Sequence, residues 1–203
     1  MQFFDFLVSF RAVRPFKFNN IATLDGYVGM SNIMEKLGCA CHRKFTTDIG
    51  LIRAVHKVLH EYGDILYMYP EARYSNAGTT SYIPDVVAKL VKKNKVPLVT
   101  MIHHGNYLNA PFWDFRQYRK VPFYSTMKQI LTVEQIENMT ADQINEVIRE
   151  EMYYDDHQWQ KDNNIDIQPV FSSYSFPSSV IGQFSTRVGS KFSFSNLNNK
   201  LFI

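Results

Sequence analysis

One short segment of the chain collects side chains that suit the binding of a phosphorylated substrate. It runs Tyr69-Pro-Glu-Ala-Arg-Tyr-Ser75 and follows a brief apolar run that begins at Asp64. Glu71 supplies a carboxylate, Arg73 a cation and Ser75 a hydroxyl, and a cation beside hydrogen-bond donors commonly holds a phosphate group. The spacing also fits a surface ion pair between Glu71 and Arg73, of the kind that contributes little to stability.

The pattern around this segment predicts a strand, a helix and a second strand. Residues 64–69 form a short apolar run between a glycine and a proline, which is typical of a strand buried on both faces. Apolar side chains at three- and four-residue spacing predict a helix over residues 84–94, and residues 96–102 predict the second buried strand. Strands joined in this way are expected to pair in parallel, and ligands gather at their carboxyl ends, where Glu71 and His103 fall.

Further elements are predicted on both sides of this unit, and together they indicate an α/β fold. We expect a single domain over residues 1–166, with a central, mostly parallel sheet flanked by helices. Residues 167–203 are rich in serine and phenylalanine and contain no acidic residue, so we expect a poorly ordered tail. The remaining helices are predicted near the amino terminus and over residues 28–37, 47–62 and 140–152. Gly38 is expected to end the helix over 28–37 in a left-handed conformation, Thr47 to cap the next helix, and Thr140 with Gln143 to form a capping box at the start of the last. The remaining strands are predicted over residues 21–24, 39–45 and 121–129.

The composition is that of an ordinary globular domain of 203 residues, with 45% apolar and 20% charged residues. A formal net charge of +3 does not indicate a nucleic-acid partner, although it is compatible with an anionic membrane surface. No apolar run reaches the roughly 18 residues of a membrane span, and the amino-terminal residues lack the features of a secretory signal. Cys39 and Cys41 are too close in sequence for an unstrained disulfide, which favours a reducing compartment.

Three blocks, in this order along the chain, resemble the glycerophospholipid acyltransferases of the 1-acylglycerol-3-phosphate acyltransferase type. The segment from Tyr69 to Ser75 looks like that family's F-P-E-G-x-R-S block. The earlier Gly38-Cys-Ala-Cys-His-Arg-Lys44 resembles its second block, a glycine followed six residues later by a basic residue. Val96-Pro-Leu-Val-Thr-Met101 resembles its V-P-x-x-P strand. The resemblance implies the family's α/β fold over residues 1–166.

The resemblance also implies roles for the residues at matching positions. Glu71 stands at the family's acidic position and is implied to be catalytic. Lys44 replaces the arginine of the second block, and a lysine still binds phosphate as a point charge. Arg73 lies one position before the family's basic residue. The residues implied to bind substrate are Arg43, Lys44, Tyr69, Pro70, Ala72, Arg73 and Ser75.

The first block of the family, H-x-x-x-x-D, matches this chain only at its aspartate. Asp5 corresponds to the residue that orients the catalytic imidazole, and the histidine would stand directly before Met1. The sequence is therefore expected to begin just after its general base, and the chain as printed is expected to be close to inactive. The implied reaction moves a fatty acyl group from acyl-CoA or acyl carrier protein to a glycerol phosphate or lysophospholipid acceptor in phospholipid biosynthesis. It needs no metal or bound cofactor, and it implies a peripheral protein at the cytoplasmic, inner face of the membrane.

Two other functions are compatible with the same residues. The chain could be a lipid- or acyl-binding remnant that keeps the pocket without the general base. Alternatively, His103 and His104 could serve a hydrolase as a base or as metal ligands, although adjacent strand residues point to opposite faces and neither G-x-S-x-G nor H-E-x-x-H is present. His56 and His60 have helical metal-ligand spacing but no evident third ligand, so a solvated helix face is the simpler interpretation.

Overall fold

A computed structural model describes residues 5–23, 31–42, 48–71, 77–109, 117–119, 121–165, 169–171 and 200–202. The helices are α1 (Asp5–Ala12), α2 (Ser31–Lys36), α3 (Ile49–His56, continued by a π-helical turn over Lys57–Glu61), α4 (Val86–Asn94), α5 (Asn106–Asn109), α6 (Val133–Asn138), α7 (Ala141–Met152) and α8 (Asp156–Asp162). The strands are β1 (Phe18–Thr23), β2 (Cys39–His42), β3 (Ile65–Met68), β4 (Leu98–His104), β5 (Gln117–Arg119), β6 (Tyr124–Leu131), β7 (Pro169–Phe171) and β8 (Leu201–Phe202).

The strands form two sheets of different kinds. The larger sheet has the order β2-β1-β3-β8-β4-β6, and its neighbours are parallel except for the antiparallel pair β4 and β6. The smaller sheet is the antiparallel pair β5 and β7. The prediction of a mixed fold with a parallel sheet flanked by helices is therefore confirmed. In the described ranges, no helix combines the length and apolar character needed to cross a membrane.

Strands β3 and β4 run parallel to each other but are not neighbours in the sheet. β8 lies between β3 and β4 and pairs with both. The Leu201 amide donates to the Pro97 carbonyl, and the Leu66 amide donates to the Lys200 carbonyl. Our expectation of a poorly ordered tail stays a prediction for the part of residues 167–203 outside the described ranges, whereas residues 201–202 belong to the sheet.

The sheet has one apolar layer on each face, because successive side chains of a strand point to opposite sides. On one face, Leu66 and Leu98 pack with helices α3, α4, α6 and α7 in a cluster that includes Leu201. On the other face, side chains of β3 and β4 such as Tyr67 and Met101 pack with the end of α1. The sheet therefore separates a four-helix layer from a layer to which α1 contributes.

The helix boundaries follow the capping signals in the sequence. α7 begins at a capping box between Thr140 and Gln143, as predicted, and ends at Met152. α3 is capped by Asp48, whose carboxylate accepts from the Leu51 amide, and not by the threonine before it as we expected. Asp48 has the extended backbone conformation that a capping residue needs, and this brings its carboxylate oxygen to 3.0 Å from the Leu51 amide nitrogen.

Candidate functional site

The carboxyl ends of β3 and β4 meet at one edge of the sheet. Both strands are parallel to β8, so the residues that follow them emerge on the same side. Glu71 lies three residues beyond Met68, the last residue of β3, and His103 and His104 are the last two residues of β4. The edge that the sequence predicted for ligand binding therefore carries Glu71 and both histidines.

Glu71 is held by the loop that leads into α4. Its Oε2 accepts a hydrogen bond of 2.9 Å from the Ser81 backbone amide and one of 2.8 Å from the Ser81 hydroxyl. Pro70, just before it, is buried. Tyr69 is half-buried on the α1 face, with its ring edge-on to Tyr67 at 5.0 Å. Two hydrogen bonds to one carboxylate oxygen fix the direction of the Glu71 side chain at the edge.

His103 connects three elements on the α1 face of the sheet. Its Nδ1 lies 2.7 Å from the Ser125 hydroxyl on β6, and its Nε2 lies 3.0 Å from the Ser9 hydroxyl on α1. Both serines are fully buried. A neutral imidazole has one donor and one acceptor nitrogen, and a hydroxyl can play either part, so both contacts can be satisfied together. We call this arrangement the Ser9–His103–Ser125 chain.

The Ser9–His103–Ser125 chain brings α1 to the same edge. Ser9, in the middle of α1, contacts His103 at the end of β4, and Ala12 and Val13 pack with side chains of β3 and β4. Asp5 is the first residue of α1 and precedes Ser9 by one turn, about 6 Å along the helix axis. The helix that begins with Asp5 therefore contacts the end of β4, at the edge that also carries Glu71.

The other predicted substrate-binding residues fall outside the described ranges. These are Arg43, Lys44, Ala72, Arg73 and Ser75. They flank described residues, since β2 ends at His42 and the described part of the β3 loop ends at Glu71. Their predicted roles stay predictions.

His104 points to the face opposite His103 and is enclosed by aromatic rings. Its Nε2 lies 2.8 Å from the Thr126 hydroxyl, and its ring stacks on Tyr124 at 4.6 Å. Tyr154 meets the ring edge-on at 4.9 Å, and the Trp159 indole donates to the Tyr124 hydroxyl. The prediction that adjacent histidines cannot readily share one metal agrees with this geometry.

Burial lowers the pKa of His104 from its ordinary value of 6.5 to about 4, with a smaller contribution from His103. The His104 imidazole is therefore protonated at a higher pH in the unfolded chain than in the folded chain. As a result, the native state loses stability as the pH falls from about 6.5 to 4. After discounting for partial solvent screening, the loss is about 2 kcal/mol. Histidine-selective NMR, with the resonance assigned by a His104→Gln variant, should show a midpoint near pH 4; a midpoint above pH 6 would contradict the buried placement.

The histidines of the described residues are not gathered with other metal ligands, and the serine hydroxyls beside His103 are not exposed. No group of three or more histidine, cysteine, aspartate or glutamate side chains is arranged there to hold a metal ion. The rings of His56 and His60 lie 4.6 Å apart, tilted by 33°, on an exposed helix face. Ser9 and Ser125, the hydroxyls beside His103, are fully buried, which leaves neither exposed for attack on a bulky substrate.

The sequence did not predict the three serines at this edge. Ser9 lies three and four residues before Ala12 and Val13, on the same buried face of α1, and this helical spacing is a sequence signal that could have singled it out. Ser81 and Ser125 have no local signal, because their partners, Glu71 and His103, are 10 and 22 residues away.

Comparisons with known proteins returned no relative for this chain. No protein-family model matches it, and searches of curated proteins and of solved structures found no similar protein. Its function is therefore inferred from its motifs and from the geometry of the carboxyl edge.

Proposed function

We propose that this chain has the architecture of a glycerophospholipid acyltransferase and transfers a fatty acyl group to a phosphorylated glycerolipid at the carboxyl edge of the sheet. The observation that carries the proposal is the hydrogen bond between Ser9 and His103. It docks α1 on the end of β4, so that the helix beginning with Asp5 approaches the edge that holds Glu71. The parallel strands β2, β3 and β4, which carry or precede the blocks resembling the family, all end at this edge of the sheet.

The proposed reaction is a direct transfer without an acyl-enzyme. The oxygen of an acceptor hydroxyl attacks the carbonyl carbon of an acyl thioester, a new C–O bond forms and the C–S bond breaks. The hydroxyl proton passes to the histidine that the resemblance implies directly before Met1, and then to the departing thiolate, which leaves as a thiol. Asp5 orients the imidazole and stabilises its charged form. Hydrogen-bond donors at the edge stabilise the oxyanion of the tetrahedral intermediate.

Glu71 and three basic residues of the blocks that resemble the family are assigned to the acceptor. Ser81 fixes the Glu71 carboxylate, and the adjoining loop carries Arg73. We assign Glu71 to contact with the glycerol portion of the acceptor, and Arg73 to its phosphate together with Arg43 and Lys44. Arginine and lysine side chains give an anionic headgroup charge-assisted hydrogen bonds, which are stronger than neutral ones.

The exposed side of α1 suits contact with an anionic membrane. Arg11, Arg14 and Lys17 are exposed, and the Arg14 guanidinium lies 5.9 Å from the centroid of the Phe10 ring. Phe10 itself is 37% exposed. Long acyl chains partition into bilayers, so a protein acting on them is proposed to work as a peripheral protein at the cytoplasmic face, where basic side chains meet anionic lipids.

A Glu71→Gln change should lower acyl transfer without unfolding the protein, because it removes the charge but keeps the shape of the side chain. The assay uses a version in which Met-His precedes Met1, with acyl-CoA as donor and lysophosphatidate as acceptor. We expect kcat/KM to fall about tenfold to a hundredfold, the range for losing a charged hydrogen bond. Glu146→Gln, an exposed position on α7, is the matched control and should leave kcat/KM unchanged.

Two outcomes of this assay would count against the proposal. If Glu71→Gln and Glu146→Gln have the same turnover, Glu71 does not belong to the site. If the version with Met-His binds lysophosphatidate vesicles but transfers no acyl group, the chain is a lipid-binding remnant and not an enzyme.

A further inference from the structure

His103 is placed where it can control how α1 sits on the sheet. It lies on the face of β4 that also carries Met101, and its two ring nitrogens reach Ser125 on one side and Ser9 on the other. The imidazole therefore spans from β6 to α1 across the end of β4. Because both hydroxyls are fully buried, neither exchanges its contact for bulk water without opening the helix.

Unlike the hydrogen bond between Ser9 and His103, the apolar contacts of α1 do not fix the orientation of the helix. Val8, Ala12 and Val13 are buried against the sheet, and apolar packing depends on area more than on angle. Such contacts hold a helix against a sheet but tolerate small shifts along its axis and rotations about it. A hydrogen bond at 3.0 Å from Ser9 to His103 adds a fixed direction and a fixed point on the helix.

That fixed point is one turn from the residue assigned to catalysis. Asp5 begins α1 and Ser9 follows four residues later, so a rotation or shift at Ser9 is transmitted to Asp5 through rigid helical backbone. Reacting groups in enzymes tolerate little displacement, and a shift of about 1 Å can cost about a hundredfold in rate.

From this geometry we infer that His103 is a positioning residue: through Ser9 it sets the register of α1 on the sheet, and so the position of the start of the helix, where Asp5 lies. The inference rests on the proposed function and adds to it a residue that no family block contains. His103 does not touch the substrate in this account. Its loss should slow the chemical step and leave the binding of acyl-CoA and acceptor nearly intact.

The kinetic test uses the version with Met-His before Met1 and compares His103→Leu, His103→Gln and Ser9→Ala. We expect kcat to fall about tenfold to a hundredfold for His103→Leu and Ser9→Ala, with both KM values within about twofold of the starting chain. Glutamine keeps a donor and an acceptor, so His103→Gln should recover part of the loss. The double variant Ser9→Ala/His103→Leu should be no slower than His103→Leu alone, because both changes break the same contact.

A second measurement does not depend on activity. Amide hydrogen exchange is measured on the 203-residue chain and on its Ser9→Ala variant. Exchange should be about tenfold faster in the variant for residues 8–12 and unchanged in β3 and α7, since only the local contact of α1 is lost. If exchange in α1 responds but no version transfers an acyl group, the positioning of α1 stands and the proposed function fails. If transfer occurs and His103→Leu and Ser9→Ala leave kcat unchanged, or raise KM as much as they lower kcat, the inference is overturned. Should His103→Leu fail to fold, Ser9→Ala, which removes a single oxygen, decides the question.

Discussion

Replacing Leu201 with aspartate should unfold the protein or bring it to the edge of unfolding. Leu201 is fully buried, and β8 pairs it with Leu66 on one side and Leu98 on the other. Among the described residues, the neighbours of Leu201 in the four-helix layer are apolar and offer a carboxylate no cation, and the apolar contribution of the leucine side chain is lost as well. The expected loss is about 5 kcal/mol, comparable to the whole stability of many domains.

The size of this effect is checked with graded changes at the same position. Leu201→Met conserves volume and should cost less than about 1.5 kcal/mol, whereas Leu201→Ala should cost about 2–5 kcal/mol. Urea denaturation followed by circular dichroism measures all three variants. If Leu201→Asp unfolds at the same urea concentration as the unchanged chain, the carboxyl-terminal residues do not lie between β3 and β4.

The second large effect is expected from Gly105→Ala. Gly105 turns the chain from β4 into α5 with φ at +77°, a conformation that costs a residue with a Cβ about 1–2 kcal/mol. A Cβ at this position would lie 2.2 Å from the Pro122 carbonyl oxygen and 3.3 Å from the Trp159 ring. Because the nearest atom belongs to the backbone, relief requires β6 and α5 to separate, at a further cost of about 1–3 kcal/mol. The total expected loss is about 4 kcal/mol.

Gly63→Ala separates the two contributions to that loss. Gly63 has a similar φ of +65°, but an added Cβ would have no neighbour within 4 Å in the described part of the chain. The change should therefore cost only the conformational term, about 1–2 kcal/mol. Equal destabilisation of Gly63→Ala and Gly105→Ala in urea would show that the end of β4 is not packed against Pro122.

Elements with their own local signal could be predicted from the sequence. The predicted bounds of β3, α4 and β4 agree with the structure within two residues at each end. α7 was predicted from its capping box, and α6 has the same signal, Thr132 followed by Gln135, which we overlooked. Gly38, predicted to end α2 in a left-handed conformation, has φ at +73°.

The order of the strands could not be predicted, because it depends on contacts that leave no local pattern. β8 is two residues long and follows a segment without periodicity, so nothing nearby in the sequence indicates that Leu201 is buried. We expected β3 and β4 to pair directly, as strands joined by one helix usually do. β8 takes the place between them, because its backbone groups satisfy both inner edges at once.

As with the fold, only part of the candidate site could be predicted from the sequence. Parallel strands bring Glu71 and His103 to one edge, and that follows from topology alone. The contacts that fix these side chains could not be foreseen, since Ser81 and Ser9 are ordinary residues until the fold sets them beside their partners.

The central claim is that this edge performs acyl transfer with a base directly before Met1. Its most direct test is the transfer of a radiolabelled acyl group from acyl-CoA to lysophosphatidate by two versions of the chain that differ in one residue, with Met-His or Met-Ala ahead of Met1. Removing a general base typically lowers the rate about 100- to 10,000-fold, so labelled phosphatidate should form with Met-His and fall by that factor with Met-Ala. Equal rates for the two versions, or no product from either, would contradict the claim.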